Sequence, residues 1–243
     1  MCQYTTCLEI SLTILVPVYN EEECLDKLHS ELDKLLKEIN CSTKVLFIDD
    51  GSTDSSLEKI NEICRQAPYE AIALKRNGGL STALKAGIDQ VTTSYTAYID
   101  ADLQTSPMDL IKFLPYLRDH TMVNGIRANR QDRWLKRMTS KVGNGIRRWI
   151  IKDGIKDTCC PLKIVETRMF QHIPFFKGMH RFIPALVQVY GGNVKQLEVQ
   201  HFPRYAGKAK YNLGNRLFRS MADTLAFLWI RKRAIKYDLR KTD

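Results

Sequence analysis

A chain of 243 residues, 44% hydrophobic and 26% charged, can bury a real core as one large domain, which excludes a collagen-like or wholly disordered protein. Its net charge of +10 is unevenly placed: residues 118–152 hold 10 Lys/Arg against 2 Asp/Glu, and residues 201–243 hold 11 against 3, so the remainder is net acidic. A basic excess confined to two stretches suits a nucleic acid, an anionic membrane surface or a phosphorylated substrate.

The opening "MCQYTTCLEI" lacks a basic region followed by an apolar one, so no signal peptide is expected. Seven cysteines, an odd number without C-x-x-C spacing, fit neither a disulfide framework nor a zinc site and point to a reducing compartment. From residue 12 the chain alternates β-branched runs with helical patterns. "LTILVPV" (12–18), "KVLFID" (44–49), "EAIALK" (70–75), "YTAYID" (95–100) and "TMVNGI" (121–126) read as strands. Leu25, Leu28, Leu32, Leu35, Leu36 and Ile39 keep helical spacing between the first two. Such alternation predicts an α/β fold with a doubly wound, mostly parallel sheet and helices on both faces. Ligands then bind beyond the carboxyl ends of the strands. Those ends carry Tyr19-Asn20-Glu21, Asp49-Asp50-Gly51-Ser52, Arg76-Asn77-Gly78-Gly79 and Asp100-Ala101-Asp102.

After residue 126 the pattern changes. Trp134, Met138, Val142, Ile146 and Trp149 recur every three or four residues among arginines and lysines, the mark of a basic amphipathic helix. "CCPLKIV" and "GGNVKQLEV" read as strands separated by the helical "HRFIPALVQVYG". A second amphipathic helix, with Leu213, Leu217, Met221, Leu225 and Leu228, runs into "RKRAIK". Its apolar stretch "ADTLAFLWI" is well short of the ~20 residues that span a bilayer.

Paired carboxylates one residue apart at a strand end can approach one cation, and Gln104 can add a neutral oxygen; hard oxygen ligands of this kind suit Mg²⁺ or Mn²⁺. Standing alone, the triplet is equally a polar turn. In "DDGSTD", Gly51 makes the turn and Ser52, Thr53 or Asp54 can cap the next helix, whereas Asp50 at the strand tip can meet a base or ribose.

"VPVYNEEECL", "FIDDGSTDSS", "KRNGGLSTALKAGID" and "YIDADLQTSP", in that order, resemble the nucleotide-sugar half of the family 2 glycosyltransferases, whose fold is GT-A. "NGIRANRQDRWLKRMTSKVGN" and "FPRYAGKAKYN" narrow the resemblance to polyprenyl-phosphate sugar transferases, including dolichyl-phosphate mannose synthase and bacterial undecaprenyl-phosphate enzymes. The resemblance implies a metal-dependent, inverting transfer of a sugar from a UDP- or GDP-sugar to undecaprenyl or dolichyl phosphate. Pro17, Tyr19, Glu21, Ile48 and Asp50 would line the nucleoside pocket; Asp100, Ala101, Asp102 and Gln104 would hold metal and diphosphate. Arg127, with Asp102 a catalytic candidate, would face the sugar diphosphate, and Arg204 and Lys210 would close over the donor. The family pairs an arginine with a serine four residues later for the acceptor phosphate; here Ser140 follows Lys136 with Arg137 adjacent, so the bidentate fork is lost from that position.

A phosphate monoester, with its second pKa near ~6, is already ionised at neutral pH and needs no general base, so His180 and His201 are minor candidates. A single catalytic domain is expected, with residues 11–126 binding the donor and 127–243 facing acceptor and membrane. The expected place is peripheral, on the cytoplasmic face, with a separate membrane subunit as a further partner. A nucleic-acid-binding module is the rival from charge alone, and strand-tip acids oppose it. A processive polysaccharide synthase is the rival within the enzymes, but its Q-x-x-R-W is only approximated by "GIRRW" and "QDRW".

Overall fold

The computed structural model describes residues 10–128, 151–205 and 213–235, the stretch 213–220 as backbone only. Seven strands form one sheet: β1 (Ser11–Val18), β2 (Ser42–Asp49), β3 (Tyr69–Ala73), β4 (Tyr95–Tyr98), β5 (Met122–Arg127), β6 (Lys163–Glu166) and β7 (Val194–Val199). Their order is β3-β2-β1-β4-β6-β5-β7. Only β6 runs against its neighbours β4 and β5; every other pairing is parallel.

Burial on both faces explains why the strands read as apolar runs. Alternate residues of β1 split between two cores: Leu12, Ile14, Val16 and Val18 face one side and Leu15 the other. On the first face lie α1 (Glu22–Glu38), α2 (Ser56–Ile63) and a 3₁₀ helix (Pro107–Tyr116). Leu25, Leu28, Leu32 and Leu35 of α1 are all wholly buried there, each contributing about 1.5–3 kcal/mol of burial. On the second face lie α3 (Leu80–Ile88), α4 (Thr167–His172), α5 (Ile183–Val189) and part of α6 (Leu213–Arg233), which buries Phe227.

The expected strands are all present, within a few residues of their ends. The 3₁₀ helix is an addition: Pro115 inside it removes an N–H and works against a regular α-helix, whereas Pro107 stands in the first turn, where proline is tolerated. The expected helix around residues 130–149 lies outside the described residues.

Parallel strands deliver their carboxyl ends to one edge. There the connections brace one another. Asn20, in the left-handed region at φ 50°, accepts the Thr53 N–H through Oδ1 at 2.7 Å, and Glu22 Oε2 accepts the Ser55 N–H at 2.9 Å. Asp54 Oδ1 accepts the Ser56 N–H at 2.9 Å just ahead of α2, whose cap residue is Ser55 and not one of the three the sequence suggested. Gly51, at φ 70°, lies so close to the next loop that an added Cβ would sit 2.6 Å from the Arg76 carbonyl carbon. Gly51→Ala is therefore expected to cost about 1–3 kcal/mol, from positive φ and backbone crowding together, read as a lower urea midpoint.

Candidate functional site

Asp49 turns inward at the tip of β2, accepting the Gly51 and Ser52 N–H groups through Oδ2, each at 3.1 Å. Asp50, 4% exposed, reaches the other way. Its oxygens accept the N–H of Gly78 at 2.8 Å, the N–H of Gly79 at 2.9 Å and Asn77 Nδ2 at 3.0 Å. Burial lifts the Asp50 pKa, against the pull of the two glycine N–H groups. Asp50 thus holds the β3–α3 turn, a duty the sequence did not announce.

Of the other nucleoside-pocket candidates, Pro17, Tyr19 and Glu21 are partly exposed at the end of β1. The Ile48 side chain is wholly buried, packed between the sheet and Gly87 of α3. Ala101 is likewise buried, in the core of the first face.

Asp100 follows β4 and accepts the Tyr98 hydroxyl hydrogen. Burial and then the neighbouring Asp102 push its pKa up to about 6, against Tyr98, Lys163 and Arg127. Asp102, 6% exposed, accepts the Gln104 N–H through Oδ1 at 3.2 Å and Arg204 Nη2 through Oδ2 at 2.9 Å. Gln104 gives its carbonyl to two donors from the second half, the Phe202 N–H at 2.9 Å and His201 Nδ1 at 3.0 Å. His180 Nδ1 pairs with Ser81 Oγ at 3.0 Å. Both histidines thus have structural hydrogen bonds.

Arg127 ends β5 at the same edge. Its Nε and Nη2 fork onto Asp157 at 2.7 and 2.9 Å, and Asn124 Nδ2 donates to the Asp157 carbonyl at 2.9 Å. Burial opposes the guanidinium charge, but pairing with Asp157 outweighs it. Asp157 was missed by sequence reasoning. Lys163 was missed too. It is 1% exposed, opposite Tyr98 in the β4–β6 ladder, with Nζ 5.5 Å from the centre of the Tyr98 ring. Burial lowers its pKa, opposed by Cys160, Cys159, Asp157 and Asp100. A lysine inside the apolar run "PLKIV" of a sheet covered on both faces needs such company.

The structure thus brings Glu21, Asp50, Asp100, Asp102, Gln104, Arg127 and Arg204 to one edge. Lys136, Arg137, Ser140 and Lys210 lie outside the described residues, as do "GIRRW" and "QDRW". Among the described residues no group of three or more His, Cys, Asp or Glu is arranged to enclose a metal. Two adjacent carboxylates that repel each other fit a hard cation that takes its remaining ligands from a substrate and water.

The raised Asp100 pKa is also a statement about stability. Between 3.8 and about 6 the folded chain binds a proton that the unfolded chain does not, so stability falls as pH rises through this window and is flat above it. Asp100→Asn removes the charge and is expected to raise the metal-free melting temperature by roughly 4–8 °C at pH 7.5, on the order of 2 kcal/mol. At pH 4.5 the gain should fall by more than half; equal gains in melts at both pH values would contradict the shift.

The glycosyl transferase family 2 model matches residues 13–174. The chain is 28% identical over 220 residues to the undecaprenyl-phosphate 4-deoxy-4-formamido-L-arabinose transferase of Serratia proteamaculans, covering 89% of this chain and 67% of that protein. It is 30% identical over 227 residues to the dodecaprenyl-phosphate galacturonate synthase of Rhizobium johnstonii, covering 90% and 67%. The chain spans about two thirds of the length of these relatives. Among solved structures, glucosyl-3-phosphoglycerate synthase from Mycobacterium tuberculosis, in complex with Mn²⁺, UDP and glucosyl-3-phosphoglycerate, superposes with a TM-score of 0.70 at 12% identity, covering 93% of this chain and 81% of that one. That likeness carries the fold, the GT-A architecture expected above. With the family model spanning most of β1 through α4, and so the ends of β1 to β6, the chain belongs to glycosyl transferase family 2 and is a glycosyltransferase.

Proposed function

We propose that this glycosyltransferase moves a sugar, with inversion, from a nucleoside diphosphate to a polyprenyl phosphate, using a divalent cation at Asp100 and Asp102. The observation that carries the donor half of the reading is the paired carboxylates at the sheet edge, with Asp100 raised to about 6 by burial and by Asp102. Such a pair gains when an oxygen-seeking cation arrives. The acceptor half is supported by the activities named for the Serratia and Rhizobium relatives. The cation named in the mycobacterial complex is Mn²⁺. Mg²⁺ has the same preference for hard oxygens, and either suits this seat.

When bound, the cation supplies Lewis-acid stabilisation of the diphosphate as it leaves. The chain's own groups do the rest. Tyr98 and the sheet hold Asp100 in orientation. Asp50 fixes the Asn77–Gly79 turn, and the nucleoside lies against that turn together with Pro17, Tyr19 and Glu21. Arg127, locked by Asp157, is a preorganised positive charge, which stabilises developing negative charge without reorganising. Lys136, Arg137 and Ser140 are proposed to hold the acceptor phosphate in line with the anomeric carbon, and Lys210 to act with Arg204 on the donor. The acceptor phosphate is ionised near neutrality, so no side chain has to remove a proton.

In this reading residues 11–126 take the donor and 127–243 meet the acceptor at a membrane. α6 supports the second part. Met221, Leu225 and Trp229, 60–66% exposed and four residues apart, form an outward apolar stripe that runs into Arg231, Lys232 and Arg233. Among the described residues no helix is long and apolar enough to cross a membrane. The proposed attachment is peripheral, through the stripe and the basic run that follows it. The basic stretches favour the cytoplasmic leaflet, whose anionic lipids attract Lys and Arg at about 1 kcal/mol each. A separate membrane subunit is a further partner compatible with the stripe.

Incubation with undecaprenyl or dolichyl phosphate, Mg²⁺ or Mn²⁺ and a panel of UDP- and GDP-sugars should give a glycolipid by mass. Asp102→Asn should lower the rate by at least about 100-fold while the protein stays folded. A fully active Asp102→Asn enzyme removes the cation seat. Leu225→Glu with Trp229→Glu should reduce sedimentation with anionic vesicles by about tenfold or more, since each change removes an apolar side chain from the interface. The same pair should spare turnover of a short, water-soluble polyprenyl phosphate.

A further inference from the structure

Two arginines meet carboxylates at the sheet edge in different ways. Arg127 is forked by Asp157 through two short bonds. Arg204 makes a single bond, Nη2 to Asp102 Oδ2 at 2.9 Å, and its Nη1 lies 3.6 Å from Glu21 Oε1. That Nη1 is shielded from solvent and, among the described residues, has no hydrogen-bond partner beyond this longer ion-pair contact. A buried donor left without a partner is costly, so the Arg204 arrangement is the looser of the two. The segment carrying it, residues 200–205, has no regular secondary structure.

The guanidinium therefore stands on one of the oxygens that a cation at Asp102 would use. The other oxygen of Asp102 is engaged by the Gln104 N–H. A divalent cation on Oδ2 and a guanidinium on the same atom repel each other, and both cannot keep it. A diphosphate, by contrast, offers oxygens to both Nη atoms, which satisfies the donor that is orphaned here.

We infer that Arg204 is the resident counter-ion of the carboxylate seat in the unliganded protein and exchanges with the divalent cation: as the cation takes Asp102, the guanidinium is released to pair with the donor diphosphate. The inference rests on the cation seat of the proposed function. It makes Arg204 a competitor of the cation and a ligand of the donor, two roles that respond to substitution with opposite signs. It also orders binding, because the arginine that grips the diphosphate becomes available when the cation has arrived.

The test titrates Mn²⁺ alone into wild type, Arg204→Met and Arg204→Lys by electron paramagnetic resonance. UDP or GDP, whichever the wild type retains, is then added at saturating Mn²⁺. Arg204→Met should bind Mn²⁺ about three- to tenfold more tightly and the nucleoside diphosphate about tenfold more weakly, each tenfold step being 1.4 kcal/mol. Arg204→Lys, which keeps a point charge but not the fork, should shift both in the same directions by less. Circular dichroism melts check folding, and if Arg204→Met does not fold, Arg204→Lys decides alone. Unchanged or weaker Mn²⁺ binding in a folded variant overturns the exchange and leaves the cation seat standing. A wild type that binds no Mn²⁺ removes the seat itself and the exchange with it.

Discussion

Carboxylates crowded at the carboxyl edge of a parallel sheet repel one another, and much of the architecture around that edge offsets the repulsion. Glu21, Asp49, Asp50, Asp100 and Asp102 all follow strands that end on the same side. Each of the four aspartates is answered locally. Asp49 and Asp50 take backbone N–H groups from two turns, Asp100 takes the Tyr98 hydroxyl, and Asp102 takes Arg204. Hydrogen bonds from fixed donors favour the ionised form without neutralising it, so the edge stays negative and ready for a cation. The residual imbalance sits on Asp100, where burial and Asp102 outweigh the nearby positive charges.

Much of the fold was legible because its signal is local. Apolar runs of five to eight residues separated by helical spacing follow from a sheet covered on both faces, and the edge rule then directs attention to the strand ends as the candidate site. The irregular parts were less legible. The 3₁₀ helix at Pro107–Tyr116 has helical spacing but an internal proline, Pro115, that spoils the α pattern. Asp50 shows the limit for site residues. Its position at a strand tip is readable, but its bonds to Asn77, Gly78 and Gly79 join segments 27 to 29 residues apart, and no local pattern records which loop will face which. Ile48 shows the reverse: a residue adjacent to the site in sequence points into the opposite core, because successive strand residues alternate faces. Lys163 and Asp157 were hidden because their value lies in company, a buried cation near acids and an acid that locks Arg127.

The two faces of α6 divide its work. Phe227 is buried against Phe182, with ring centroids 5.2 Å apart, and Asp223 pairs with Arg181 at 3.0 Å. Gly178 leaves room for that carboxylate, since a Cβ there would stand 2.2 Å from Asp223 Oδ2. The inward face is thereby pinned by an aromatic stack, an ion pair and the Arg231 Nη1 bond to the Ile151 carbonyl at 2.8 Å, which leaves Met221, Leu225 and Trp229 directed outward. Exposed large apolar groups in register on a helix have a use only where something apolar meets them.

Asp109 lies in the 3₁₀ helix, away from the strand tips, yet its Oδ2 accepts the Gln200 N–H at 2.9 Å where the chain leaves β7. Two residues on, the Phe202 N–H reaches the Gln104 carbonyl, and Arg204 reaches Asp102. The stretch from 200 to 204 is thus sewn down at four points, three of them on the Asp102–Gln104 turn and one, at Asp109, remote from the chemistry. Genetic change at Asp109 should then be felt in combination with change at Arg204, because groups that share one connected segment do not act additively. A residue with no ligand to touch thereby becomes part of the inheritance of the site.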